Sequence, residues 1–165
     1  MTDDEGFMRL ALQEALMAYR QGEVPVGAVA VRDGEVVARA HNLRETLRDP
    51  MAHAEALLLR RTAEALGGWR LTRVTLYCTL EPCPMCAGAM VLARLPRLVY
   101  ALDDPKAGAA GSVIDLLQHP GLNHRVELQR GVQERLARLL FQRFFRELRA
   151  GRVRKPHAQG RCRSG

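Results

Sequence analysis

The stretch Val74-Thr75-Leu76-Tyr77-Cys78-Thr79-Leu80-Glu81-Pro82-Cys83-Pro84-Met85-Cys86-Ala87-Gly88-Ala89-Met90 decides how the chain is read. Val74 to Thr79 is rich in β-favouring residues and predicts a strand. Glu81-Pro82 turns the chain, and Pro84 to Leu95 predicts a helix. On the near side, Ala52 to Leu66 predicts another helix, stopped by Gly67-Gly68. Val26 to Val31 is a continuous apolar run of the kind a buried strand shows. Asp33-Gly34 signals a hairpin turn, and Glu35 to Ala40 is the returning strand. A polar loop spans His41 to Pro50. The first helix opens on the capping-box pattern Thr2-x-x-Glu5 and carries Met8, Ala11, Leu12, Ala15 and Tyr19 at helical spacing, with Gly22 and Pro25 ending it.

On the far side, Leu98 to Leu102 is a strand and Asp103 to Ser112 a Gly- and Ala-rich loop. Val126 to Gln129 is a short strand, and Gln133 to Ala150 a long helix. The apolar side of that helix is expected to carry Leu136, Leu139, Leu140 and Phe144, while Phe145 falls opposite Leu136 and should be exposed. Helices alternating with strands predict an α/β layered domain around a mixed sheet, over residues 1–150. Residues 151–165 have no apolar period and are expected to form a mobile basic tail.

Length and composition agree with one folded domain. The chain has 165 residues, 47% apolar and 26% charged. No run approaches a membrane span, and the acidic start Met1-Thr2-Asp3-Asp4-Glu5 lacks the apolar segment of a signal peptide, so a cytoplasmic location is expected. The net charge is +7 and one-sided: residues 125–165 hold 12 basic and 3 acidic groups, whereas residues 1–23 hold 2 and 5. A basic excess at one end suggests an anionic partner, with nucleic acid as first candidate and a solvated tail as the plainer reading.

Cys83 and Cys86 are three apart at a predicted helix start, so both sulfurs can face one point, and the helix N-terminus favours thiolates. His53 begins another helix and supplies a nitrogen. Three protein ligands with a fourth position left to water describe a catalytic zinc site. Glu55 adds the proton acceptor that hydrolytic chemistry requires. Because i and i+2 lie about 200° apart on a helix, His53 and Glu55 can converge only at its start. A closed site using Cys78 and a redox Cys-x-x-Cys remain as alternatives, although Cys78 sits among Leu76, Tyr77 and Leu80 as core would, and Cys162 lies in the tail.

His-x-Glu followed by Pro-Cys-x-x-Cys resembles the signature of the zinc-dependent nucleoside and nucleotide deaminases. Over about residues 5–150 the chain is similar to the bacterial tRNA-specific adenosine deaminases. The resemblance runs through Val24-Pro25-Val26-Gly27-Ala28-Val29, Asn42, Asp49-Pro50 and Ala52-His53-Ala54-Glu55. It continues through Thr79 to Met90, Asp104-Pro105-Lys106-Ala107-Gly108-Ala109-Ala110-Gly111-Ser112 and Asn123-His124-Arg125-Val126-Glu127. Met51 departs from the Thr common in the family, and the tail matches nothing in it.

The resemblance implies a three-layer α/β/α cytidine-deaminase-like fold with a five-stranded mixed sheet, assembled as a homodimer with each active site near the partner. It implies one Zn2+ per subunit on His53, Cys83 and Cys86, with Glu55 as catalytic proton shuttle. It implies conversion of adenosine to inosine at the first anticodon position of an arginine tRNA, by attack of zinc-bound hydroxide on C6. Asn42 would bind the flipped nucleotide, and Asp103, Asp104 and Lys106 would line the RNA channel. Asn123, His124, Phe145 and Arg149 are further channel candidates. Two rivals stand beside this reading. A deaminase of free guanine, cytosine or a nucleoside shares the zinc motif without needing a basic last helix. A structural-zinc RNA-binding module would not need Glu55.

Overall fold

A computed structural model describes residues 3–156. Four helices and five strands follow in the order α1 (Asp3–Arg20), β1 (Gly27–Arg32), β2 (Glu35–His41), α2 (Ala54–Leu66), β3 (Val74–Leu80), α3 (Pro84–Leu92), β4 (Arg97–Leu102), β5 (Glu127–Arg130) and α4 (Glu134–Arg149). The sheet order is β2-β1-β3-β4-β5. β1 pairs antiparallel with β2 and β3, whereas β3–β4 and β4–β5 are parallel. This is the mixed sheet expected, in an α/β cytidine-deaminase-like fold.

Alternation along the strands builds the layers, because successive side chains point to opposite faces. Ala28 and Ala30, Leu76 and Cys78, Leu98 and Tyr100 enter one core with Leu58 of α2 and Met90 of α3. Val29 and Val31, Tyr77, Val99 and Ala101 enter the other core with Met8 and Ala11 of α1 and Ala137 of α4. Cys78 is fully buried, as core packing required. At Gly27 the α1 backbone lies against β1: a Cβ there would sit 2.1 Å from the Ala11 carbonyl oxygen, so only glycine fits.

Three details depart from the sequence reading. α3 stops at Leu92, not Leu95, and the chain leaves through Arg94 in the left-handed region. The physical reason is Pro96, which disfavours helical backbone at Leu95. On α4, Leu136 and Leu139 are 45% and 54% exposed, while Ala137 and Phe144 are buried. The contact row runs through Ala137, Phe141 and Phe144, and small Ala137 lets the helix approach the sheet. Phe145 is half-buried, its ring 4.9 Å from Phe141 and 5.3 Å from Phe144. Thr2 of the capping box and Cys162 of the tail lie outside the described residues. Past Gly151, Lys155 forms an ion pair of 3.7 Å with Glu45. No helix among the described residues is long and apolar enough to cross a membrane.

Candidate active site

α2 and α3 both begin at the same end of the sheet, and their first residues face each other. His53 is the N-cap of α2 and Cys83 the N-cap of α3, each with extended backbone and neither capping its helix with its side chain. Both side chains are thereby free to point into a common space. His53 Nδ1 lies 3.5 Å from Cys83 Sγ and 3.7 Å from Cys86 Sγ. Tetrahedral bonds of ordinary zinc–nitrogen and zinc–sulfur length would separate such atoms by about 3.6 Å. Geometry and donor chemistry therefore both fit a zinc ion. Among the described residues this trio is the group of histidine, cysteine or acidic side chains close enough to share one ion. Cys78 does not join it, which removes the closed three-cysteine alternative.

The electrostatics suit the chemistry. Cys83 is lowered to about 4, first by the hydrogen bond from the Cys86 thiol and also by His53, while Cys86, sharing that proton, is raised. Glu55 is 4% exposed, in the first turn of α2. Burial pushes its carboxyl up to about 7. The Cys86 sulfur lies 3.5 Å from its Oε2. A buried carboxyl near neutrality with acceptor capacity to spare can take and return protons.

A cavity of about 220 Å³ opens onto this centre, lined by His53, Glu55, Cys83, Asn42, Arg44 and Glu81 among others. Asn42 is part of the wall of this cavity. Its Nδ2 donates to the Val24 carbonyl at 3.3 Å and its Oδ1 accepts from the Arg44 amide at 3.1 Å, which leaves one N–H and one lone pair for a ligand. A second cavity of about 700 Å³ adjoins, sharing Leu80 and Asp104 with the first. Asp103, Lys106, Phe145, Arg146 and Arg149 line it. Asp104 Oδ1 accepts the amides of Lys106 and Ala107 at 3.0 and 3.2 Å, so half of its carboxylate shapes its own loop. Asn123 and His124 line neither cavity, and His124 Nε2 bonds the Leu95 carbonyl at 2.6 Å. At Met51, Asp49 Oδ1 accepts the Met51 amide at 2.8 Å in a short turn ahead of α2, and no side chain caps the helix at its N-cap His53.

Sequence reasoning passed over Glu23, Arg44 and Arg146, and gave Glu81 no role. Glu23 is fully buried and accepts the amides of Glu45 and Thr46 at 3.0 and 2.8 Å, holding the loop that carries Asn42 and Arg44. The one available signal was an acidic residue at the edge of an apolar run: Glu23 before Val24, and Glu81 after Leu80.

A His-x-Glu helix start facing a Cys-x-x-Cys helix start, on a sheet of this topology, defines a deaminase. The family described as MafB19-like deaminase matches residues 2–149. The tRNA-specific adenosine deaminase of Bacillus subtilis (strain 168) is 52% identical over 149 residues, which cover 90% of this chain and 92% of that protein. The tRNA-specific adenosine deaminase of Aquifex aeolicus (strain VF5) is 43% identical, over 88% of this chain and 95% of its own. A solved structure from a study of A-to-I editing by tRNA:A34 deaminases at the wobble position superposes with a TM-score of 0.79 at 44% identity, covering 82% of this chain and 98% of that one. The chain belongs to the MafB19-like deaminases and, within them, to the tRNA-specific adenosine deaminases.

Proposed function

We propose that this enzyme hydrolytically deaminates adenosine to inosine at the first anticodon position of tRNA, in the cytoplasm, and that an arginine tRNA is its substrate. The observation that carries the reading is the trio His53, Cys83 and Cys86 beside the buried, largely unengaged carboxylate of Glu55. His53, Cys83 and Cys86 would hold one zinc ion per subunit, which would supply the Lewis acidity that makes water nucleophilic near neutral pH. Glu55 receives a proton from the attacking water and delivers it to N1 of the adenine as the C6–O bond forms. It then carries the second proton to the exocyclic amine as the C6–N bond breaks, so that ammonia leaves and inosine remains. The free N–H and lone pair of Asn42 orient the base at the cavity wall.

The second cavity supplies a place for the flanking RNA. An anticodon loop is single-stranded, so turning a base out of it costs little. Lys106, Arg146 and Arg149 face it with positive charge, and the half-buried Phe145 ring offers a stacking surface worth about 1–3 kcal/mol per base. Asp103 and the free oxygen of Asp104 accept from ribose hydroxyls or base amines. His124 helps hold the segment before β5 through its hydrogen bond to the Leu95 carbonyl, and the working unit is a homodimer.

The deciding experiment offers the protein an anticodon stem-loop with A at its first anticodon position, alongside free adenosine, cytidine and guanine, with zinc content measured in parallel. Inosine in the stem-loop alone is the expected result. Turnover of a free base or nucleoside with the stem-loop untouched would replace the RNA reading by the small-molecule one.

A further inference from the structure

Glu81 is 1% exposed at the end of β3, two residues before Cys83, and lines the cavity without any part in the chemistry above. An ionised carboxylate has about four acceptor positions. All four are taken. Oε1 accepts the Asp104 amide at 3.1 Å and the Ser112 hydroxyl. Oε2 accepts the Ala110 and Ser112 amides at 3.0 and 3.2 Å. Every donor comes from the loop that carries Asp104 and Lys106 to the second cavity. That loop is also tied to the turn by the Ala109 amide, which donates to the Pro82 carbonyl at 2.8 Å. Gly108 completes the arrangement: a Cβ there would lie 2.2 Å from Glu81 Oε2 and 2.5 Å from the Asp104 carbonyl oxygen.

We infer that Glu81 is a positioning residue for RNA binding, whose carboxylate preorganises the 104–112 loop into the shape that receives the strand flanking the target base. The inference rests on the reading of the second cavity as the RNA channel. Saturated on both oxygens, Glu81 has no lone pair left to contact substrate or accept a proton, in contrast to Glu55, which lines the same cavity. Its effect on substrate passes through the backbone of Asp104, Lys106 and Ala107. Turning the same loop through a neutral amide fails on donor count. Whichever way a glutamine is oriented, its NH2 group faces either the Asp104 amide or the amides of Ala110 and Ser112, and at least one buried N–H loses its acceptor.

The test is Glu81→Gln, with Gly108→Ala approaching the same carboxylate from the loop side and Lys106→Ala as a channel control. Three readouts are taken on the zinc-loaded protein: amide hydrogen exchange at 104, 110 and 112, KM and kcat on the anticodon stem-loop, and zinc per chain. Both loop variants should exchange faster at those amides. Both should raise KM about tenfold, the factor that one unsatisfied buried donor corresponds to, with kcat within about twofold and zinc unchanged. Unchanged exchange in Glu81→Gln would overturn the inference, since the carboxylate would not be holding the loop. A fall in kcat with loss of zinc and an unmoved KM would overturn it too, placing Glu81 in service of Cys83 instead. Faster exchange with KM unmoved would refute the role in RNA binding. In that case Lys106→Ala separates the two failures: a raised KM there keeps the channel and discards only Glu81, and an unmoved one discards the channel as well.

Discussion

Glu55, Glu23 and Glu81 are three buried acidic side chains within one small neighbourhood, and their hydrogen bonding sorts them into different jobs. Glu23 and Glu81 are consumed by backbone amides. For Glu81, burial works against the charge, but the Ser112 hydroxyl and the amides of Asp104, Ala110 and Ser112 outweigh it and hold the carboxyl below its ordinary range. At Glu55 burial outweighs the lowering by its own backbone amide, by His53 and by Cys86, and the carboxyl rises to about 7. Glu55→Gln keeps the shape and removes only the proton acceptor. It should retain one zinc per chain and lose about 10²–10⁴-fold in kcat, the worth of a positioned acid–base group, as measured by single-turnover deamination of a stem-loop. Of the three, Glu55 alone was legible in the sequence, because its partner His53 is two residues away. The donors that saturate Glu81 lie more than 20 residues downstream and only meet it once β3 and the following loop are in place.

At the scale of elements, the helices carry the site by their ends and the core by their sides. Helix starts deliver His53, Glu55, Cys83 and Cys86. α4 instead acts through its side, where Phe144 meets Tyr19 of α1 edge-on with ring centroids 5.4 Å apart, and the Tyr19 hydroxyl donates to Glu147. Phe144 is buried and Leu139 is not, though both are large and apolar on the same helix. Phe144→Ala should therefore cost about 3–5 kcal/mol of unfolding free energy, and Leu139→Ala should stay within about 0.5 kcal/mol. Denaturant midpoints of the two variants check this directly. The element boundaries were readable to within a few residues because hydrophobic period, Gly22 and Gly67 punctuate the chain locally. Which apolar row of α4 faces inward was not readable: Leu136-Leu140-Phe144 and Ala137-Phe141-Phe144 both recur at helical spacing, and only the sheet beneath selects between them.

For the molecule as a whole, long-range polar ties close the layers around the sheet. Asp4 of α1 pairs with Arg97 of β4 through contacts of 3.0 and 2.8 Å and accepts the Tyr77 hydroxyl of β3 at 2.8 Å. The hydrogen bond from Arg97, above the opposing effect of burial, holds the Asp4 carboxyl below the usual carboxylate range. A depressed carboxyl contributes stability that is fully present above its unfolded value of about 3.9 and is lost as pH falls through the lower folded value. The melting-temperature advantage of the native protein over Asp4→Asn should accordingly shrink on acidification from about pH 6 to about pH 3, and thermal melts across that range measure it. What the sequence by itself determined is the set of local facts: the order of elements, the metal-ligating residue types at helix starts, the basic last helix, and the family resemblance built on those motifs. What only the tertiary structure decided is every statement about which distant groups satisfy one another: the meeting of α2 and α3, the inward row of α4, and the capture of Asp104, Ala110 and Ser112 by Glu81. Local pattern reports the chain's period and punctuation, whereas a buried polar group's role depends on donors and acceptors that folding brings from elsewhere in the chain.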